Sequence, residues 1–176
     1  MRIPDLLQRI VDWEKTVAHR LPEWTTASGL YLGVHGDGDG GYECTPERSI
    51  TFARTGMDGI HYAWTADRDG DADLEEAPVI CVSPMDFGNC VRPVARNIRD
   101  FFSLTFYGHD LLLLNDFESR ASYEKAVRRQ ERENANSPYL REWGEEVRKL
   151  AHEARARFGL APIADPYGYI RQLREK

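Results

Sequence analysis

Cysteine is scarce in this chain: Cys44, Cys81 and Cys90 are the only three in 176 residues, and none forms a C-x-x-C pair. An odd number at such spacing provides neither a disulfide framework nor a zinc knuckle, and suits a reducing compartment. Cys81, inside Val79-Ile80-Cys81-Val82, reads as a small buried apolar residue, not a nucleophile. Long apolar runs are also missing, since nothing approaches the roughly 20 residues that span a bilayer. The opening MRIPDLLQRIVDWEK carries charges through its apolar positions where a secretory signal would be uniformly apolar. The expectation is a cytoplasmic protein with no membrane contact. A basic stripe is lacking too, which argues against nucleic acid as a partner. There is no internal repeat and no long low-complexity tract.

What is present is a chain rich in aromatics, with four Trp, eight Tyr and seven Phe, and 41% hydrophobic. That composition belongs to a packed globule rather than a disordered segment, and the length allows one core without a metal or disulfide staple. The charge is unevenly placed. Residues 1–116 hold 10 Lys+Arg against 19 Asp+Glu, a net −9, whereas 117–176 hold 13 against 10, a net +3. Between 37 and 76 there are 11 acids and three bases, Arg48, Arg54 and Arg68, a net −8. Such a field favours cations and basic proteins.

Leu6, Ile10, Trp13, Val17 and Leu21 recur at spacings of three and four after Pro4, which predicts a helix from about 4 to 19. Four short apolar stretches follow, at Leu30–Val34, Ser49–Arg54, Ile60–Thr65 and Ala77–Ser83. The turn signals TGMDG and DRDGDAD between them predict an antiparallel meander. In Ile60-His61-Tyr62-Ala63-Trp64 the alternation puts Ile60, Tyr62 and Trp64 on one face and His61 on the other. After Pro93, Val94, Ile98, Phe101 and Phe102 read as one helical stripe, and HDLLLLND as a shorter helical turn. Glu118–Glu133 reads as a solvated helix. Ser137 as N-cap, Pro138 in the first turn, Leu140, Trp143, Val147, Leu150, Ala154 and Phe158, then Gly159, predict a strong amphipathic helix. The expected fold is α+β: a twisted antiparallel sheet flanked by helices, residues 1–116, with a charged helical extension, 117–176, packed on the same domain.

VHGDGDGGYE places Gly36, Gly38 and Gly41 at the three positions of a dinucleotide fingerprint. The context is wrong for that role, because Tyr42-Glu43-Cys44-Thr45-Pro46 follows where a helix should open, and Asp37 and Asp39 would face the phosphates. As a calcium loop it has Arg48 at the twelfth position, where a bidentate Glu belongs. DRDGDADLEE comes closer, with Asp67, Asp69, Asp71 and Asp73 at positions 1, 3, 5 and 7, but has Ala72 at the glycine position and Pro78 at the last ligand. Both read as acidic connections between strands. His152-Glu153 opens like a zincin helix and lacks the second His. No cofactor or metal is expected. Asp58, His61, Asp86 and His109 are the best acid, base and orienter set the chain offers, although a lone His on an outer strand face is usually a surface residue.

TFARTGMDGIHYAW (51–64), APVICVSPMDFGN (77–89) and VARNIRDFFSL (94–104) resemble, in that order, the core of the SUKH superfamily, which includes a fungal cell-wall assembly regulator and many bacterial proteins. The resemblance lies in a strand entering a T-G-x-D-G turn, an aromatic strand, an apolar strand ending in a polar corner, then a helix with Asn97, Asp100 and Phe101 in an N-x-x-[DE]-F pattern. Gly56 and Gly59 suit positive φ there, and Asp58 can bond amides inside the turn. The resemblance implies an α+β fold without catalytic machinery. It also implies a bacterial immunity-type role in which a toxin, often a nuclease, is neutralised by binding. The family has no shared binding residues to carry over.

The leading expectation is therefore a non-enzymatic domain that occludes a basic toxin domain. Asp37, Asp39, Asp58, His61, Asp69, Asp71 and Asp73 are its candidate partner-binding residues. The alternative is a small-molecule or metal-responsive regulatory module, or a minor hydrolase, using Asp58, His61 and Asp86. A third reading makes Leu140–Phe158 a docking helix for a partner or a second copy, leaving monomer and homodimer both open.

Overall fold

A computed structural model describes residues 2–34, 42–65 and 73–175. Helix α1 (Asp5–Val17) continues into a 3-10 turn at Ala18–Arg20, and buries Leu6, Leu7, Ile10, Trp13 and Val17, the stripe its periodicity predicts. Five strands follow: β1 (Tyr31–Leu32), β2 (Ile50–Arg54), β3 (His61–Trp64), β4 (Val79–Val82) and β5 (Val91–Ala95). They form one antiparallel meander in the order β1-β2-β3-β4-β5. The α+β expectation holds.

One boundary is corrected. Val94 belongs to β5 and not to the following helix, which begins at Ile98: α2 (Ile98–Phe106). Pro93 is tolerated because β5 is an edge strand, where a missing N–H costs no ladder bond. Asn97 ends the extended segment as N-cap, its side chain accepting from the Asp100 amide at 2.9 Å.

The remaining helices are α3 (Asp110–Leu114), α4 (Arg120–Asn136), α5 (Pro138–Phe158) and α6 (Pro166–Arg174). Ser137 caps α5 and Gly159, at φ 61°, terminates it, as the sequence predicts. In α6, which the sequence reading left undivided from the extension, Asp165 caps through the Gly168 amide at 3.0 Å.

One face of the sheet meets α1, α2 and α5. Phe52 lies 4.3 Å from Trp64, centroid to centroid, and Phe101 of α2 stands edge-on to Phe52 at 5.2 Å. Leu150, Ala154, Phe158, Leu160 and Ile170 belong to this same core cluster. Phe158 is buried edge-on to Trp13 at 5.7 Å, so that end of the α5 stripe is committed inside the chain. Helix α6 lies along β5: Tyr169 accepts from the Arg96 amide and donates to Asp100, and Arg174 donates to Pro93 O. A sheet edge that would otherwise present unpaired groups is thereby covered.

The opposite face is smaller. Ala63, Ile80 and Val82 form a second cluster, with Cys44 and Val91 packed against it. Segment 42–48 thus lies over the outer face, away from the helices.

Candidate functional site

Antiparallel pairing alternates the ends at which connections fall. His61 of β3 pairs with both Arg54 of β2 and Val82 of β4. The β2–β3 turn (55–60) and the β4–β5 turn (83–90) therefore sit side by side at one end of the sheet. The β3–β4 connection, which contains Asp73, falls at the other end.

The β2–β3 turn is TGMDGI. Thr55 N–H donates to Ile60 O at 3.1 Å and Ile60 N–H to Met57 O at 3.0 Å. Thr55 Oγ1 accepts from the Met57 amide at 3.2 Å. Gly56 and Gly59 take φ 78° and 70°, as expected, and Asp58 also takes a left-handed φ of 52°. Thr55 supplies the side-chain bonds that the sequence reading assigned to Asp58, whose carboxylate takes none among the described residues. Each glycine seats a tyrosine ring. A Cβ on Gly56 would lie 2.6 Å from Tyr31, and one on Gly59 would clash with the Tyr42 hydroxyl.

His61 faces away from Tyr62, as the alternation predicts, but it is buried rather than exposed because segment 42–48 covers it. Tyr42 stacks on its ring at 6.1 Å and 20°. Its Nδ1 lies 2.8 Å from Gly59 O, and a carbonyl cannot donate, so Nδ1 carries the proton. Nε2 then accepts from Thr45 Oγ1 at 3.2 Å, while Thr45 Oγ1 accepts from the Tyr42 amide at 3.2 Å. Burial holds the imidazole below the usual histidine range. This is a neutral structural histidine joining the turn to segment 42–48.

The β4–β5 turn, SPMDFGNC, is fastened by Ser83 N–H to Cys90 O at 2.7 Å and Asp86 N–H to Ser83 O at 3.0 Å. Arg92, 3% exposed, pairs with Asp86 and donates to Asn89 O at 3.1 Å and Leu114 O at 2.7 Å. One guanidinium thus holds the turn, β5 and the end of α3 together.

Of the candidate residues, Asp58 and His61 meet at this end. Asp73 does not: its carboxylate accepts from the Glu75 amide at 3.1 Å beyond the far ends of β3 and β4, roughly 13 Å of strand away. Asp37, Asp39, Asp69 and Asp71 lie outside the described residues. The acid–base set of Asp58, His61, Asp86 and His109 does not assemble. His61 is on the outer face, whereas His109 caps α3 on the helical side, its Nδ1 3.3 Å from the Tyr123 hydroxyl. Asp86 is engaged by Arg92. Among the described residues no group of three His, Cys, Asp or Glu is placed to hold a metal ion.

The sequence reading missed the apolar part of this end. Met57, Met85 and Phe87 are 70%, 66% and 87% exposed, with Tyr31 and Tyr42 half exposed beside them. The signal was available: both turns read Met-Asp, TGMDG and SPMDFG, where a solvent loop ordinarily carries small polar residues.

No protein-family model matches the chain, and neither curated proteins nor solved structures yield a match. No helix among the described residues is long and apolar enough to cross a membrane.

Proposed function

We propose that this chain is a non-enzymatic protein-binding domain of the immunity type, which neutralises a basic toxin domain by occluding it. The observation that carries the reading is the sheet end itself, where adjacent, internally fastened turns present Met57, Met85 and Phe87 to water beside Asp58. Exposed aromatic and methionine side chains without an internal partner are what protein interfaces use as anchors. The net −8 of residues 37–76 supports a cationic partner, since it speeds encounter with one and repels nucleic acid. The SUKH-like order of strands and turns supports a toxin as that partner.

The test is co-purification with the product of the neighbouring reading frame, assayed for toxin activity, followed by titration at 50 and 500 mM salt. A stable complex that abolishes toxin activity and weakens at high salt is the expected result. A chain that leaves toxin activity untouched refutes the reading. The regulatory or hydrolytic alternative, on Asp58, His61 and Asp86, is tested by thermal shift against divalent cations and nucleotides.

A further inference from the structure

We infer that the twin Met-Asp turns are the contact surface, and that the segment they bind is a protein segment with an apolar anchor flanked by Lys or Arg. The inference rests on the protein-binding reading and assigns it to named residues. Three observations carry it.

The first is the apolar patch. Tyr31 and Tyr42 flank the β2–β3 turn, each ring laid on a glycine, and Met57 follows the first of these glycines, exposed. Met85 and Phe87 project from the neighbouring turn. Methionine fits partners of varied shape, while rings fixed by packing lose little entropy on binding.

The second is Asp58. It is the one non-glycine residue with positive φ among the described residues. An L-residue is disfavoured in that region, Asp less than most, and here no hydrogen bond of the carboxylate among the described residues compensates. Glycine would serve the turn better. A strained, exposed carboxylate that contributes nothing to its own turn points outward, to a ligand.

The third is charge. The chain has no lysine between Lys15 and Lys125. At this end Asp58 and Glu43 are exposed, whereas Arg54 already has a partner and Arg92 is buried against Asp86. An apolar anchor ringed by cations complements such a surface; an acidic one is repelled.

The chain offers its own reporters, since Met57 and Met85 are two of its three methionines. With methyl-13C methionine, the protein is titrated with a 12-residue Lys/Arg peptide bearing a central Leu-Trp. Two control peptides are used, one with Glu flanks and one with Ser-Gly in place of the anchor. The Lys/Arg anchor peptide should shift the Met57 and Met85 methyl signals and the controls should not. Phe87→Ala should weaken binding about tenfold, as loss of an anchor does. Asp58→Asn should weaken it about threefold at low salt and not at 500 mM, with stability unchanged. Binding that leaves both methyls still overturns the surface while keeping the protein-binding reading. Equal binding of the Glu peptide overturns the charge argument. Shifts that follow protein concentration alone mean a second copy occupies the surface, which also overturns it. If no peptide binds, the inference fails, and toxin co-purification decides separately on the broader reading.

Discussion

Replacing Arg92 by alanine is expected to destabilise the chain far more than replacing its ionic partner Asp86. The guanidinium is 3% exposed and serves three acceptors: Asp86, Asn89 O and Leu114 O. Removing it takes the donor from two part-buried carbonyls, at up to about 1–3 kcal/mol each, and leaves a cavity between β5 and α3. A loss of about 3–5 kcal/mol follows from the lost bonds and the cavity together. In Asp86→Ala the buried guanidinium loses its counter-ion but keeps both carbonyl acceptors, and the place of the half-exposed carboxylate is open to water, so a smaller loss of about 1–2 kcal/mol is expected. Urea unfolding of the two variants, with tryptophan fluorescence as the readout, measures the difference. Equal losses would refute the reasoning, because they would mean that the ion pair, not the pair of carbonyl bonds, holds the turn.

Gly59→Ala combines a left-handed φ with a clash against Tyr42, so it should cost about 2–3 kcal/mol, falling to about 1–2 kcal/mol in a Tyr42→Ala background. His61 and His109 are both held below the usual histidine range by burial. The unfolded chain therefore binds more protons than the native one below its ordinary value, near 6.5. Their stability contribution is complete above that value and is lost as pH falls below it, which urea midpoints at pH 7.5 and 5.5 will show. Tyr169→Phe removes the donor to Asp100 at 2.6 Å and the acceptor for the Arg96 amide, and should cost about 1–3 kcal/mol, with α6 exchanging amide protons faster. Cys81, whose thiol burial pushes up to about 11, should resist alkylation until the chain unfolds.

The helices and most strands were legible because their signals are local. Apolar spacing in α1, the Ser137-Pro138 start and the Gly159 stop of α5, and the alternation in β3 each depend on a few neighbouring residues. Strand β5 was not, because Pro93 reads as a break until one knows that the strand lies at an edge covered by α6.

The site shows the same division. Sequence alone determined that Gly56 and Gly59 need positive φ, that His61 faces away from Tyr62, and that acids crowd residues 37–76. Only the tertiary structure decided which connections share an end. Meander pairing separates Asp73 from Asp58 by the length of a strand and brings the turn of Met57 beside the turn of Met85 and Phe87, 28 residues and more along the chain. It also folds segment 42–48 over His61, turning an outer-face residue into a buried neutral link. Local propensity acts over a few residues, whereas register and burial are set by contacts between distant segments.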